Sequence, residues 1–421
     1  DLVGIGFGPA NLSLEIANRE AGSPVLSHYY ESETEFIWHS GMLLSTLRLQ
    51  VSFLKDLITL SNPRSEYTFI NYLHKAGRLN EFINLRTFYP SRIEYNLYYQ
   101  WVAKQFNDKV SYQQKVTGIS PIECAGEIRS LLLEIYDCNS CSTKYIETRN
   151  ISVATGGFPK IPVGVDASVD NRICHSKDTL NMLKIHFPDV RQAYHFVIVG
   201  SGKTAADVFF YIISTYKCAN VTIAMRGFAI KPQDDTHLIN ELFFPEAVDM
   251  WYNMPEPLKT VMFNRHKDVT HSSADIDMLE PIYDALYTDK VTGRNRLHMA
   301  RYHDLKSTRS VDNEVFLTFQ NLMTGEEVKM CADGAILATG YDRSTPLPLL
   351  DELSPWFMYD KSNYLIERNY AIKTNEKFYP RVYLPGYSEK THGFTETLLS
   401  ILPIRSVEIL DDLRRTLPEN V

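Results

Sequence analysis

Two glycine-rich turns set out the chemistry in this 421-residue chain: Gly4-Ile5-Gly6-Phe7-Gly8 and Gly200-Ser201-Gly202-Lys203-Thr204-Ala205. Glycines between a strand and a helix let the backbone turn tightly and approach a pyrophosphate, whose charge then sits at the positive end of the helix. The residues that close the next strand differ in sign. After the first turn, the run Pro24-Val25-Leu26-Ser27-His28-Tyr29-Tyr30 ends at Glu31, where a carboxylate would bond a ribose. After the second, Val221-Thr222-Ile223-Ala224-Met225 ends at Arg226 with no acid beside it. A guanidinium there suits a ribose 2′-phosphate, which a carboxylate would repel. The first turn therefore reads as a site for FAD or NAD, and the second as one for NADPH.

The elements that must position these turns are legible around them. Each turn follows an apolar strand, Leu2-Val3 or Phe196-Val197-Ile198-Val199, and precedes a helical stretch opening at Ala10 or Ala205. One such fingerprint alone is a weak signal; two in one chain, each in a strand-turn-helix setting, carry far more weight. Gly202-Lys203-Thr204 looks like part of a kinase-type phosphate loop, but that motif needs glycine where Val197 stands, which excludes it. Two strand-like runs ending in small residues, Ile151 to Gly157 and Ala335 to Tyr341, are each expected to return to a sheet beneath a nucleotide. Apolar periodicity over roughly 246–290 predicts helices. Ile276, Leu279, Tyr283 and Leu286 are expected to share one face, with Ser272 or Ser273 as N-cap and Pro281 as a kink. Together these residues predict a small helical insertion beside the second unit.

Composition bounds the rest. The length predicts about two or three domains, and 44% apolar with 22% charged residues is ordinary for a globular chain. A net charge of -8 argues against a nucleic-acid partner and weakly favours cationic substrates. No apolar run approaches membrane-spanning length, so no membrane partner is expected. The six cysteines have no framework spacing, which fits a reducing compartment and a cytoplasmic location. Cys138-Asn139-Ser140-Cys141 lies between two strand-like runs and reads as a hairpin tip. No cysteine pair closely follows the first glycine turn, which weakens a flavin disulfide reductase.

Further segments give the chain a family likeness over nearly its whole length. They are Gly4 to Leu12, Phe36-Ile37-Trp38-His39-Ser40-Gly41-Met42-Leu43, Leu49-Gln50-Val51-Ser52-Phe53-Leu54-Lys55-Asp56-Leu57, Asn71-Tyr72-Leu73-His74, Lys231-Pro232-Gln233-Asp234-Asp235 and Thr391-His392-Gly393. Asp333 to Tyr341 matches the pattern DxxxLATGY. In these segments the chain resembles the flavin-dependent N-hydroxylating monooxygenases, the ornithine, lysine and diamine N-monooxygenases of hydroxamate siderophore synthesis. The resemblance implies an α/β fold with two Rossmann-like dinucleotide-binding domains plus a small helical substrate domain. The FAD domain would span 1–160 and 336–421, the NADPH domain 161–235 and 300–335, and the substrate domain 236–299. It also implies the cofactors FAD and NADPH, with NADP+ staying bound, and molecular oxygen as co-substrate. Reduced flavin would form a C4a-hydroperoxide whose distal oxygen a primary amine attacks. The flavin carries the hard chemistry, so no catalytic side chain is expected.

Residue by residue, the likeness places Gly4, Gly6, Gly8, Pro9, Glu31, Trp38, His39, Gln50, Leu399 and Ser400 at FAD. Gly200, Ser201, Gly202, Lys203, Thr204, Arg226 and His271 fall at NADPH, and Lys55, Asn240 and Thr270 at the substrate. Lys55 matches a lysine that meets the substrate's carboxylate end, and Asn240 a substrate-binding asparagine. From the residues alone, Lys55 also reads as a solvated helix lysine, Asn240 as a turn or capping residue, and Trp38 and His39 as core packing. The chain departs from the ornithine branch where an asparagine-tyrosine-serine run is expected, for it reads Val269-Thr270-His271-Ser272. That departure makes putrescine or cadaverine a candidate beside L-ornithine, with L-lysine behind. A related flavin monooxygenase acting on another nucleophile, and a flavin- and NADPH-binding sensor without turnover, are the competing classes. The expected assembly is a homo-oligomer, dimer or tetramer, acting on a small-molecule amine. Only the neutral amine is nucleophilic, so neutral hydrogen-bonding groups and no nearby carboxylate are expected around the reacting nitrogen.

Overall fold

The computed structural model describes residues 1–22, 24–167, 170–270, 273–311 and 314–417, with the side chains of 267–270 left aside. Its frame is a pair of five-stranded sheets. In the first, the spatial order is Val382–Tyr383, Asn150–Val153, Leu2–Ile5, Ser27–Tyr30 and Val110–Ser111, with every pair parallel. In the second it is Leu297–Arg301, Asn220–Met225, His195–Val199, Gly334–Leu337 and Ile173–His175, again parallel throughout. Parallel sheets are covered on both faces, which is why these strands are continuous apolar runs.

Alternation along each strand sorts side chains between two cores. Phe196 and Ile198 face helices Lys203–Thr215 and Thr179–His186 through Val208, Phe209, Ile212 and Leu183. Val197 and Val199 face an antiparallel three-stranded sheet, His303–Val311, Glu314–Asn321 and Glu327–Ala332, through Leu305, Val315, Leu317 and Phe319. The first unit repeats the plan. Val3, Ile5 and Val153 pack on the three-stranded sheet of Gln114–Cys124, Glu127–Asp137 and Ser142–Thr148. Its other face carries helices Pro9–Glu20 and Arg92–Ala103, where Leu12 and Ile16 meet Tyr95, Tyr98 and Tyr99. Helix Leu402–Thr416 closes against Leu14 and Ala17.

Several boundaries lie elsewhere than expected. The run from Ile151 does return to the first sheet, but the run from Ala335 returns to the second, where Ile336 and Leu337 pair with Ile198 and Val199. A domain break at 336 would cut that strand, so the second unit runs through Leu337. Helix Ile276–Val291 is likewise not part of the insertion. Strands Asn220–Met225 and Leu297–Arg301 are parallel neighbours, and parallel neighbours need a crossover connection. This helix supplies it, packing Ile282, Met278, Leu279 and Leu286 on the second unit's core while Ile276 and Tyr283 stay exposed. A break at 299/300 would cut strand Leu297–Arg301. The insertion proper is therefore His237–Asn240, Glu246–Asn253 and Glu256–Thr270.

The N-cap of the crossover helix is Asp275, while Ser273 sits in a two-residue strand paired with Lys231 and Ser272 lies outside the described residues. Pro281 lies inside the helix without ending it. The insertion packs on the first unit through Trp251, Phe243, Ala247 and Phe394. Gly393 permits this contact, since a Cβ there would fall 2.4 Å from the Trp251 ring and its φ is 82°. The CxxC segment is the exposed tip between Glu127–Asp137 and Ser142–Thr148, as expected. Where the chain passes between units, Phe158–Pro159 pairs antiparallel with Tyr341–Asp342.

Candidate active site at the seam of two nucleotide folds

The first glycine turn is shaped from three sides. Gly4 leaves room for Tyr29, whose ring would lie 2.0 Å from a Cβ, so its smallness serves packing. Gly6 has φ 81° and a Cβ there would meet the Ala154 carbonyl oxygen at 2.8 Å. Gly8 caps helix Pro9–Glu20, with Pro9 at its first position, and a Cβ on Gly8 would meet nothing within 4 Å. Its backbone thus faces open space at a helix N-terminus, where an anion is favoured. Asn11, not singled out from sequence, ties the turn to the next strand: its amide donates to the Gly6 carbonyl at 2.7 Å and its oxygen accepts from Ser152 at 2.7 Å. Glu31 accepts from the Phe7 N–H at 2.7 Å and from the Glu33 N–H at 3.0 Å. This aligns an acid with the turn, as a ribose-binding carboxylate requires. Gly156 and Gly340, both at positive φ with nothing within 4 Å of a Cβ, open further space at the two strand ends. The glycine cradle and its donor set fit a dinucleotide.

An aromatic wall lines the seam. The Trp38 backbone N–H donates to the Asn96 side-chain oxygen at 2.8 Å, and its ring stands edge-on to Tyr99 at 5.4 Å and to Tyr95 at 6.4 Å. The Arg92 guanidinium lies 5.9 Å from the Trp38 ring. His39, at φ 52°, keeps an exposed surface, and its ring lies 5.1 Å from Trp38 and 6.3 Å from Tyr341. Desolvation first, then Arg92 and Arg343, hold its imidazole well below the usual histidine pKa, so it stays neutral. Leu399 packs on the same aromatic cluster, and the buried Ser400 hydroxyl has no partner among the described residues.

Lys55 is partly buried, its carbonyl accepting from the Tyr95 hydroxyl at 3.3 Å. Desolvation lowers its pKa. Among the described residues no hydrogen bond or ion pair holds its ammonium. Asn240 ends helix His237–Asn240 and donates to the Asp235 carbonyl at 2.8 Å. Thr270 ends helix Glu256–Thr270, its side chain being outside the described residues, as is His271 altogether.

At the second turn, Gly200 has φ 146° and a Cβ there would lie 2.3 Å from the Ala338 carbonyl oxygen. Gly202 caps helix Lys203–Thr215, with Ser201 and Thr204 half-buried beside it. Arg226 follows strand Asn220–Met225 and is exposed. Lys203 behaves differently from expectation. Its ammonium turns inward, donating to Asp275 at 2.8 Å and lying 3.3 Å from Asp207, so the carboxylates occupy the charge that was expected at the cofactor. Asp207 is fully buried; desolvation pushes its carboxyl up, and Lys203 and then Arg92, 4.0 Å away, oppose that. Neither Asp207 oxygen makes a well-formed hydrogen bond among the described residues, so these contacts are ionic. On the other side of Asp275, the Gln50 amide donates to Asp275 at 2.5 Å and to Gln233 at 2.6 Å. Sequence reasoning missed Asp275, Asp207 and Arg92. The four-residue spacing of Lys203 and Asp207 was a usable signal.

The sequence model of the family described as L-lysine 6-monooxygenase/L-ornithine 5-monooxygenase matches residues 1–343. The chain belongs to this family. It is thus an amine N-monooxygenase built on two Rossmann-like domains. Among its relatives, the L-ornithine N(5)-monooxygenase of Burkholderia cepacia is 37% identical over 399 residues, covering 93% of this chain and 89% of that one. The solved ornithine N-hydroxylase of Kutzneria sp. 744, with reduced FAD, NADP+ and L-ornithine, superposes with a TM-score of 0.94 at 31% identity, covering 99% of each chain. The FAD-bound cadaverine monooxygenase of Erwinia amylovora gives a TM-score of 0.86 at 22% identity over 100% of this chain and 96% of that one, a likeness of fold. Among the described residues no helix is long and apolar enough to cross a membrane.

Proposed function

We propose that the chain hydroxylates the terminal amine of L-ornithine, using FAD, NADPH and molecular oxygen, in the cytoplasm and for hydroxamate siderophore assembly. When bound, FAD reduced by NADPH and charged with oxygen supplies the electrophilic oxygen atom. The chain's own work is to hold the two nucleotides, orient the amine and keep it neutral. Gly6, Gly8, Pro9 and Glu31 receive FAD, with Trp38, His39, Gln50, Leu399 and Ser400 about its ring. Gly200, Ser201, Gly202 and Thr204 receive the NADPH pyrophosphate on backbone N–H groups, and Arg226 takes the 2′-phosphate. Lys203 contributes through Asp275 instead of by touching a phosphate.

The observation that carries the substrate assignment is Lys55, a partly buried ammonium with no acceptor among the described residues, suited to a substrate carboxylate. Asn240 and Thr270 complete the amino-acid end. At the other end, a free alkylamine has a pKa of about 10.4, and making it half neutral near pH 7.5 takes roughly 4 kcal/mol of differential interaction. Neutral His39 and the Gln50 amide meet that need. The Asp275 carboxylate beyond Gln50 is offset by Lys203 at 2.8 Å, so it does little to hold the amine protonated.

A diamine such as putrescine is the second reading, favoured by Thr270 and His271 standing where ornithine enzymes are expected to carry asparagine and tyrosine. A substrate panel decides between them. Ornithine preferred over putrescine in hydroxylamine formed per NADPH supports the first; the reverse order supports the second. No hydroxylated product from ornithine, lysine, putrescine or cadaverine overturns both.

A further inference from the structure

The polar chain through the seam is longer than a pair of cofactor sites requires. It runs from Trp38 and Arg92 in the first unit, through Asp207 and Lys203 in the second glycine helix, to Asp275, and from there to Gln50 back in the first unit. Asp275 is the hinge of this chain. It occupies the N-cap of helix Ile276–Val291 yet makes no side-chain cap, because one oxygen accepts from Gln50 and the other from Lys203. Forgoing a cap leaves helix N–H groups without that acceptor, so the alternative bonds must compensate.

Chemistry fixes which way Gln50 points. A carboxylate paired with an ammonium only accepts hydrogen bonds, so the Gln50 atom facing Asp275 must be its amide nitrogen. That nitrogen has two hydrogens. One goes to Asp275 and the other to the Gln233 oxygen at 2.6 Å, while the Gln50 side-chain oxygen has no hydrogen bond among the described residues. The amide is thereby locked with an acceptor free at the seam.

We propose that Asp275, charged against Lys203, is a positioning residue that sets the orientation of the Gln50 amide and so ties the nicotinamide-nucleotide helix to the flavin site. Its role rests on the flavin monooxygenase reading above. Asparagine at 275 presents donors as well as an acceptor, so the Gln50 amide is free to turn over. Lys203→Met removes the same constraint from the other side.

The test is a double-mutant cycle on FAD-loaded protein with Asp275→Asn, Gln50→Ala and the pair. Three quantities are read: the visible circular dichroism of bound FAD, the hydroxylamine formed per NADPH oxidised, and the thermal midpoint. Asp275→Asn is expected to shift the flavin dichroism in the same sense as Gln50→Ala and to lower product per NADPH about threefold to tenfold, the scale of one ordinary hydrogen bond. The double variant should match Gln50→Ala, since coupled residues are non-additive. Additive effects, or a change confined to the thermal midpoint, overturn the proposal. Should Asp275→Asn fail to fold, the cycle with Lys203→Met decides on the same criteria, and recovery in Asp275→Glu supports it. If the wild type hydroxylates no amine, the functional reading falls by itself. The dichroism still decides the positioning role, and an unchanged signal in Asp275→Asn refutes it.

Discussion

Arg226 offers the most direct test of how the two nucleotides are told apart. Strand Asn220–Met225 lies beside His195–Val199, and the Gly200 N–H donates to the Ala224 carbonyl at 2.9 Å. The exposed guanidinium that follows Met225 therefore stands one strand over from the second glycine turn. Among the described residues no hydrogen bond or ion pair engages it, so it is available to a phosphate without first breaking an ion pair. A hydrogen bond to a charged group contributes about 1.5–3 kcal/mol, and solvent exposure favours the low end. At about 1.4 kcal/mol per decade, Arg226→Ala should lower kcat/KM for NADPH by roughly tenfold. NADH lacks the 2′-phosphate, so its kcat/KM should stay unchanged. Arg226→Lys keeps the charge but loses the planar fork and should fall between. The assay is anaerobic flavin reduction with each nucleotide at low ionic strength, where screening is weakest. An unchanged NADPH-to-NADH ratio in Arg226→Ala, or an equal loss with both, refutes the assignment.

Other perturbations address the remaining parts. Glu31→Ala removes the acceptor of the Phe7 N–H and the proposed ribose partner, and should raise the FAD dissociation constant about tenfold by fluorescence titration; an unchanged constant contradicts the role. Lys55→Ala should raise KM for ornithine by about tenfold while leaving that for putrescine alone, because only ornithine has a carboxylate. The Arg405–Glu396 ion pair is buried, at 2.7 Å with 4% and 0% side-chain exposure. Arg405→Met strands that carboxylate and should lower the unfolding free energy by about 3–5 kcal/mol in denaturant titration. His392 stacks on Tyr370 at 4.3 Å, and its pKa is lowered from 6.5 to about 3, mainly by desolvation. Between those values the unfolded chain binds a proton that the folded chain refuses. Stability should therefore fall as pH drops below 6.5, by up to about 1.4 kcal/mol per unit from this residue, and level off below about 3. His392→Gln should flatten that slope in melts across the range, and an unaltered slope counts against it.

Much of the fold was legible because it rests on local pattern. Both glycine turns, the acid and the arginine that follow them, and the CxxC hairpin tip each lie within one supersecondary unit. The errors have physical causes as well. Apolar periodicity shows that helix Ile276–Val291 is amphipathic but not which core it covers, so a crossover helix passed for part of the insertion. Ile276 and Tyr283 share members of their face with Met278 and Ile282, and only packing against helix Lys203–Thr215 selects the latter pair. Ser272, Ser273 and Asp275 are all capping types, and the choice fell to strand pairing at Ser273. The family likeness places Lys203 at NADPH with the rest of the glycine turn, its sequence neighbours. Its partner Asp275 is 72 residues away and Gln50 lies another 225 from Asp275, separations at which spacing carries no information.

The central claim is that this seam delivers oxygen to a neutral primary amine. Oxygen uptake by the FAD-loaded protein with NADPH, followed together with hydroxylamine analysis of the product, measures it directly. Ornithine should yield N-hydroxylated product in proportion to NADPH consumed, with little product from amines that lack its carboxylate. NADPH oxidation that yields only hydrogen peroxide with ornithine, lysine, putrescine and cadaverine alike would contradict the account.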